Sequence, residues 1–271
     1  MKKLIYFIVK LAKATMENNL ITHANDMTYK MLLAFFPFII FLMSLLGFFN
    51  LDLSPYMPDI INSFPKEIVS LIHIFTDEVI DTKNAGVLSG SLLITLFTIS
   101  SGFNALIKGI SKVYGEKETR NFIVVRLISI GLVLLFTFSI VLSIVILIFG
   151  NTIYNTLLKN YALNEFFVFI FSAAGYLVVM IILLFTIIFI YKFSTCKKLT
   201  VYEAFPGAFT TLVVWVLSSK LFNVYIGNFA KYSKVYGSIA GIVILLLWLN
   251  IISTVLLIGG EINSLIEKKK A

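Results

Sequence analysis

Six stretches of this chain contain no Asp, Glu, Lys or Arg at all: 31–51, 84–107, 127–158, 166–191, 204–219 and 235–260. A bilayer core of about 30 Å takes about 20 helical residues at 1.5 Å rise, so runs of this length decide the fold class before anything else does. The fifth run is short, but 221–230 continues it beyond Lys220, whose long stem can reach the interface. The third carries a Gly150–Asn151 break. The spans are therefore read as about 31–51, 84–107, 127–149, 166–191, 204–225 and 235–260. This predicts an all-α polytopic integral membrane protein, with residues 1–271 forming one membrane domain. Composition agrees. The chain is 59% hydrophobic and 13% charged, where a soluble domain is about 45–50% apolar and about 25% charged. That excludes a soluble enzyme, a disordered chain and a coiled coil.

The basic residues set the orientation. With the N-terminus inside, Lys2, Lys3, Lys10, Lys13, Lys30, Lys108, Lys112, Lys117, Arg120, Arg126, Lys192, Lys197, Lys198, Lys268, Lys269 and Lys270 fall on the cytoplasmic side. Those are 16 of the 22 Lys and Arg, and the other 6 fall outside. The positive-inside rule then places both termini in the cytoplasm. It also accounts for the net charge of +8 without nucleic acid as a partner. Lys10 interrupts the apolar run 4–9 and no small-residue cleavage site follows, so no cleavable signal peptide is expected. The single Cys196 excludes an intrachain disulfide and a cysteine zinc site.

Two segments outside the spans have character. Residues 1–24 mix Lys2, Lys3, Lys10 and Lys13 with Leu4, Ile5, Phe7, Ile8 and Leu11, the pattern of an amphipathic helix lying on the inner leaflet. The outer loop 52–83 holds Pro55, Pro58 and Pro65, and then a 3.6-period face at Ile68, Leu71, Ile72, Phe75 and Val79. It predicts a short helix along the outer surface.

Polar residues at membrane depth face the bundle or a wet cavity. Thr98, Ser101, Asn104 and Lys108 recur at helical spacing on the second span, and Asn250, Thr254 and Glu261 do so on the sixth. Asn25, Asp26, Thr28, Tyr29 and Lys30 lead into the first span, which carries Pro37. Ser101, Asn104, Lys108, Asn250, Thr254 and Glu261 are the substrate-path candidates, lining a groove among the first, second and sixth helices. A single Ser or Thr in these rows is more commonly an interhelical hydrogen bond, whereas Asn104, Lys108, Asn250 and Glu261 as a set fit a path and packing about equally. Lys108, Arg120 and Arg126 are candidates for holding an anionic head group at the inner leaflet. Gly86-x-x-x-Gly90 and Gly237-x-x-x-Gly241 have the spacing of close helix approaches, and Pro37 and Pro206 are read as packing positions.

Catalytic constellations are nearly absent. His23 with Asp26, and His73 with Asp77 and Asp81, are more simply solvated faces than cation sites. No zinc-protease, nucleophile-elbow or phosphate-loop motif occurs, and Glu261 has no second carboxylate in sequence beside it. No enzyme activity, metal or cofactor is expected.

Four segments resemble the YihY/BrkB family of bacterial inner-membrane proteins. They are Ala24-Asn-Asp-Met-Thr-Tyr-Lys-Met-Leu-Leu-Ala-Phe-Phe-Pro37, Tyr114-Gly-Glu-Lys-Glu-Thr-Arg120, Ala204-Phe-Pro-Gly-Ala208, and Tyr236-Gly-Ser-Ile-Ala-Gly241 through Trp248 to Gly259-Gly-Glu-Ile-Asn263. The chain departs from that pattern at Asn25–Asp26 and at Asn250. The resemblance implies a six-span plasma-membrane protein. An old ribonuclease BN label attaches to the family, and this chain supplies no residues for that chemistry. A role in moving lipids or envelope precursors has been suspected for it.

The expected function is non-enzymatic translocation of a lipid or amphiphilic anion, with membrane lipids as partners. A structural or accessory envelope protein is the second reading, and a membrane-embedded hydrolase the third. Oligomeric state is not readable from the sequence.

Overall fold

The computed structural model describes residues 2–48, 85–116, 118–153, 165–197, 199–236 and 238–270. Among them the chain is helical, with short turns. In order the helices are α1 (Lys2–Glu17), α2 (Leu20–Phe48), α3 (Ala85–Val113), α4 (Phe122–Ile153), α5 (Glu165–Ser194), α6 (Val201–Tyr236) and α7 (Ser238–Lys270). The expected outer-surface helix, the loop 52–83 and Gly237 lie outside the described residues.

Helices α2 to α7 carry, in order, the described parts of the six uncharged runs. Four of them are long and apolar enough to cross a membrane, over Phe122–Ile146, Ala173–Ser194, Val201–Phe222 and Ala240–Lys268. The shortest of these windows holds 22 residues, a rise of about 33 Å. Their outward faces suit hydrocarbon. Leu127, Leu134 and Phe138 on α4, Leu177, Ile181 and Phe185 on α5, and Phe209, Val213, Leu217 and Leu221 on α6 are all exposed. Each set recurs at three- to seven-residue steps, so each helix presents one apolar stripe outward.

The inward faces form one core. On α2, Ala24, Met27, Ala34, Phe38 and Leu42 pack along α3, whose Leu106, Ile107, Ile110 and Val113 are completely or almost completely buried. Helix α7 sits against α2, α3 and α6.

The helix ends have local causes. Asn19 takes a left-handed φ of +50°, which Asn tolerates better than most residues. Its carbonyl accepts from the N–H groups of Thr22 and His23, starting α2 immediately. The amphipathic helix therefore ends at Glu17, and residues 20–30 belong to the helix of the first span rather than to a surface segment reaching residue 24. Helix α3 closes with Gly115 at φ +69°. The Glu116 N–H reaches the Ser111 carbonyl at 2.9 Å and the Gly115 N–H reaches that of Lys112 at 2.9 Å, the paired bonds of a Schellman cap. Helix α6 opens with a capping box: Glu203 Oε2 accepts from both the N–H and the hydroxyl of Thr200, at 2.8 Å each.

Two packing expectations are corrected. Among the described residues a Cβ on Gly90 would meet nothing within 4 Å, so the close approach expected there is not found among them. The fifth uncharged run starts two residues before Pro206, but α6 begins at Val201 and places Pro206 in its second turn. There it removes the donor that the Tyr202 carbonyl would otherwise receive. Pro37 is likewise internal to α2, and Gly241 is buried.

Candidate functional site: a polar seam at the α1–α2 elbow

Successive residues turn by about 100° on a helix, so Asn250, Thr254, Leu257 and Glu261 form one stripe along α7. The stripe faces α1 and α2. Asn250 Nδ2 donates to Asn25 Oδ1 at 2.8 Å and to Thr28 Oγ1 at 3.3 Å. Thr28 in turn donates to its own helix at Ala24 O, 2.7 Å away. At the other end the Glu261 side chain is 0% exposed, and its Oε2 accepts from Asn18 Nδ2 at 2.9 Å. Among the described residues Glu261 Oε1 is buried without a hydrogen-bond partner. Two bonds about 11 residues apart on α7 thus tie a polar seam to the start of the first long helix. Unpaired buried carboxylate oxygens are costly, which makes Glu261 the most informative group in the bundle.

The remaining faces of α7 are structural. Asn263 Oδ1 accepts the Gly207 N–H at 2.6 Å, while its Nδ2 donates to Ala204 O at 3.1 Å. A Cβ on Gly207 would meet the Gly259 carbonyl, with Asn263 Cγ at 2.6 Å; one on Gly259 would meet the Tyr191 and Thr211 hydroxyls. Those hydroxyls share a bond of 2.6 Å, and the Tyr191 hydroxyl also donates to Leu256 O at 2.7 Å. Ser264 Oγ donates to Val113 O at 3.0 Å, joining α7 to α3. The Pro206-Gly207-Ala208 and Gly259-Gly260-Glu261-Ile262-Asn263 segments are therefore two sides of one close helix crossing.

The groove expected among three helices does not form as drawn. Helix α3 meets α2 and α7 through Gly102, Gly109, Ile110 and Val113: a Cβ on Gly109 would lie 2.6 Å from Leu257 Cδ2, and one on Gly102 would lie 3.3 Å from Met31 Cγ. Ser101, Asn104 and Lys108 project about 100–180° away from that face. Ser101 faces α4, where Arg126 Nη1 donates to its hydroxyl at 3.2 Å. Among the described residues Asn104 Oδ1 is buried without a hydrogen-bond partner, and Lys108 is exposed. The α7 row is matched instead by Asn18, Asn25 and Thr28.

The head-group cradle changes too. Arg120 grips Glu118 through Nε–H···Oε1 and Nη2–H···Oε2, both 2.7 Å, and donates to the carbonyls of Phe193 and Ser194 at 3.0 and 3.4 Å. This fork, opposed in part by desolvation, holds the Glu118 carboxyl down at about 2, and Glu118 raises the guanidinium in return. Arg126 Nη2 donates to Phe97 O at 2.8 Å, with its guanidinium carbon 4.8 Å from the Phe97 ring centroid. Both arginines join helices, leaving Lys108 as the exposed cation of the three.

Nearby, Glu116 Oε2 accepts from Thr195 Oγ1 and the Cys196 N–H at 3.1 and 3.2 Å. Cys196 Sγ donates to Glu118 Oε1 at 3.1 Å, and Lys197 pairs with Glu267 at 3.0 Å. Burial and the negative field of Glu267 push the Tyr114 hydroxyl's pKa up. Tyr114-Gly-Glu-Lys-Glu-Thr-Arg120 is thus a clamp holding the α3–α4 turn on the end of α5. Among the described residues no three His, Cys, Asp or Glu side chains are grouped to hold a metal ion.

Sequence reasoning missed Asn18, Asn263, Tyr191 and Thr211 as site or crossing residues. Asn263 stood in a motif already singled out, and Asn18–Asn19 are two turn-forming residues in succession. Tyr191, at the end of an uncharged run, carried no separate signal.

These features define a multi-pass α-helical membrane protein with a polar seam against its central helix. The chain belongs to the Virulence factor BrkB (YihY/BrkB) family, whose pattern matches residues 11–271. The ribonuclease-like protein YfkH of Bacillus subtilis (strain 168) is 31% identical over 245 residues, covering 90% of this chain and 89% of that protein. A UPF0761 membrane protein of Xanthomonas oryzae pv. oryzae is 27% identical over 177 residues, 65% of this chain and 39% of its own. The UPF0761 membrane protein NMB0524 of Neisseria meningitidis serogroup B is 35% identical over 75 residues, 28% of this chain and 18% of its own. The chain thus spans most of the Bacillus protein and a minor part of the other two. No solved structure matches it.

Proposed function

We propose that this protein crosses the bacterial plasma membrane six times, with both termini in the cytoplasm, and translocates a lipid or other amphiphile without enzymatic chemistry. Helices α2 and α3 supply the first two spans. Each has 29 residues, about 43 Å at helical rise and more than a bilayer core needs. The Lys and Arg partition of 16 to 6 supports the orientation.

The observation that carries the transport reading is Glu261: a carboxyl group in a membrane-spanning window, wholly buried, with one oxygen unpaired. An ionisable group buried in a spanning helix is read first as part of a pathway. The seam from Glu261 to Asn250 reaches the surface at Asn25, which is exposed, giving a polar head group a lateral way in while its chains stay in lipid. Lys108 supplies positive charge at the inner boundary. The ribonuclease-like name of the Bacillus relative is not carried over, because the seam offers a single carboxyl and no nucleophile–base pair.

The accessory-protein reading has one observation in its favour: Arg120 and Arg126 serve internal contacts. Purified protein in vesicles carrying a fluorescent phospholipid separates the two. Translocation predicts exchange of the probe between leaflets above that of protein-free vesicles, reduced in Asn250→Ala with unchanged melting. Exchange at the protein-free rate supports the accessory reading.

A further inference from the structure

We propose that Glu261 is a reversible proton-binding site, and that the elbow between α1 and α2 is the gate to it. As the coupling ion of translocation it rests on the transport reading; as a site it stands on the geometry around one carboxyl group.

Among the described residues that carboxyl has a single hydrogen-bond donor, Asn18 Nδ2 on Oε2, and Oε1 is buried and unpaired. The groups packed round it leave it uncompensated. From α3 come Ile110, against Gly260, and Val113, neither of them titratable. From α1 comes Glu17, whose partner is Lys13 at 3.8 Å. From α2, His23 stands beside Gly109 and Leu257, one turn from Glu261 along α7. On α7 itself Lys268 attracts the carboxyl from a distance, while its Nζ lies 3.4 Å from Val113 O.

A metal cation would need several oxygen ligands, and no such group of acidic side chains is formed among the described residues. A proton needs one lone pair and no extra volume. In the step, a hydronium ion arriving from cytoplasmic water gives its proton to Oε1; an O–H bond forms, one H3O+ O–H bond breaks, and water remains. Nothing is oxidised or reduced.

The elbow supplies the route. Asn18 and Asn19 are the whole connection between two helices, Asn19 is exposed with φ at +50°, and Asn18 is the group capping the carboxyl. The outward stripe of α1 is bare: Ile5, Ile8, Val9 and Met16 are exposed, with Lys10 and Lys13 beside them. A rotation at Asn19 that lifts Asn18 would free Oε2, open the carboxyl to water and leave α7 in place.

Dicyclohexylcarbodiimide adds to protonated carboxyl groups in apolar surroundings and leaves a stable mass tag. The full-length protein in detergent is treated across mildly acidic to mildly alkaline buffers and mapped by peptide mass spectrometry. The expected result is tagging of Glu261 severalfold above Glu17 and Glu267, falling as pH rises, and faster in Asn18→Ala. An infrared protonated-carboxyl band lost in Glu261→Gln is the second readout, independent of reagent access. Glu261 untagged at every pH with no such band, or tagging that ignores pH, overturns the proton site. A pH-dependent tag in protein that moves no lipid keeps the site and removes the transport reading; lipid exchange with neither tag nor band does the reverse.

Discussion

Asn18 and Glu261 are 243 positions apart in sequence and joined by one 2.9 Å hydrogen bond. That bond fastens the N-terminal helix to the last one. With the Asn25–Asn250 bond it makes α7 the backbone of the polar seam and the first two helices its wall. The buried carboxyl is held by one neutral amide, so its environment can change when the elbow moves without breaking an ion pair.

The Arg120–Glu118 fork predicts acid sensitivity. The folded Glu118 carboxyl sits at about 2, against an ordinary 4.5. Its contribution to stability is therefore present above about pH 4.5 and lost as pH falls toward 2. Melting temperature followed through that range should fall more in the wild type than in Glu118→Gln. Arg120→Ala should cost about 1.5–3 kcal/mol at neutral pH, because it strips charged hydrogen bonds and frees two carbonyls. Equal acid responses would show that the fork contributes nothing.

The α6–α7 crossing predicts a sharp contrast among glycines. Gly207→Leu and Gly259→Leu should each destabilise by about 1–3 kcal/mol or prevent folding, since a side chain at either position collides with the facing helix. Gly90→Leu should melt within about 0.5 kcal/mol of the wild type, having open space around it. Thermal melting in detergent checks both, and a costly Gly90→Leu would place a neighbour where the described residues have none.

The orientation predicts labelling. In a Cys196→Ser background, cysteines at Asp59 or Lys159 should react with an impermeant maleimide on intact cells. Cysteines at Lys197 or Lys269 should react only after permeabilisation. The reverse pattern would invert the seam and place Glu261 on the outer side.

Much of the fold was legible because hydrocarbon imposes a crude rule: each of α2 to α7 contains most or all of the described part of one run lacking charge. Their ends were less so. Asp26 and Lys30 stand before the first uncharged run and read as its entry, yet they pair with each other at 2.7 Å along α2, which already runs from Leu20. For the site, the α7 row was visible from spacing, but its partner was misassigned. Periodicity gives the face a residue occupies on its own helix, not which helix covers that face. Arg120 shows the same limit: its charge was legible, and the carboxylate two positions away that occupies it became decisive only when the loop closed.

The central claim is that the α2–α7 seam opens during transport, and a reversible lock tests it. In the Cys196→Ser background, Asn25→Cys and Asn250→Cys replace a pair whose side chains now meet at 2.8 Å. In vesicles with a fluorescent phospholipid, oxidation to the disulfide should abolish probe exchange, and reductant should restore it, while each single cysteine variant is unaffected by either treatment. Full exchange in protein that is quantitatively cross-linked would contradict the account.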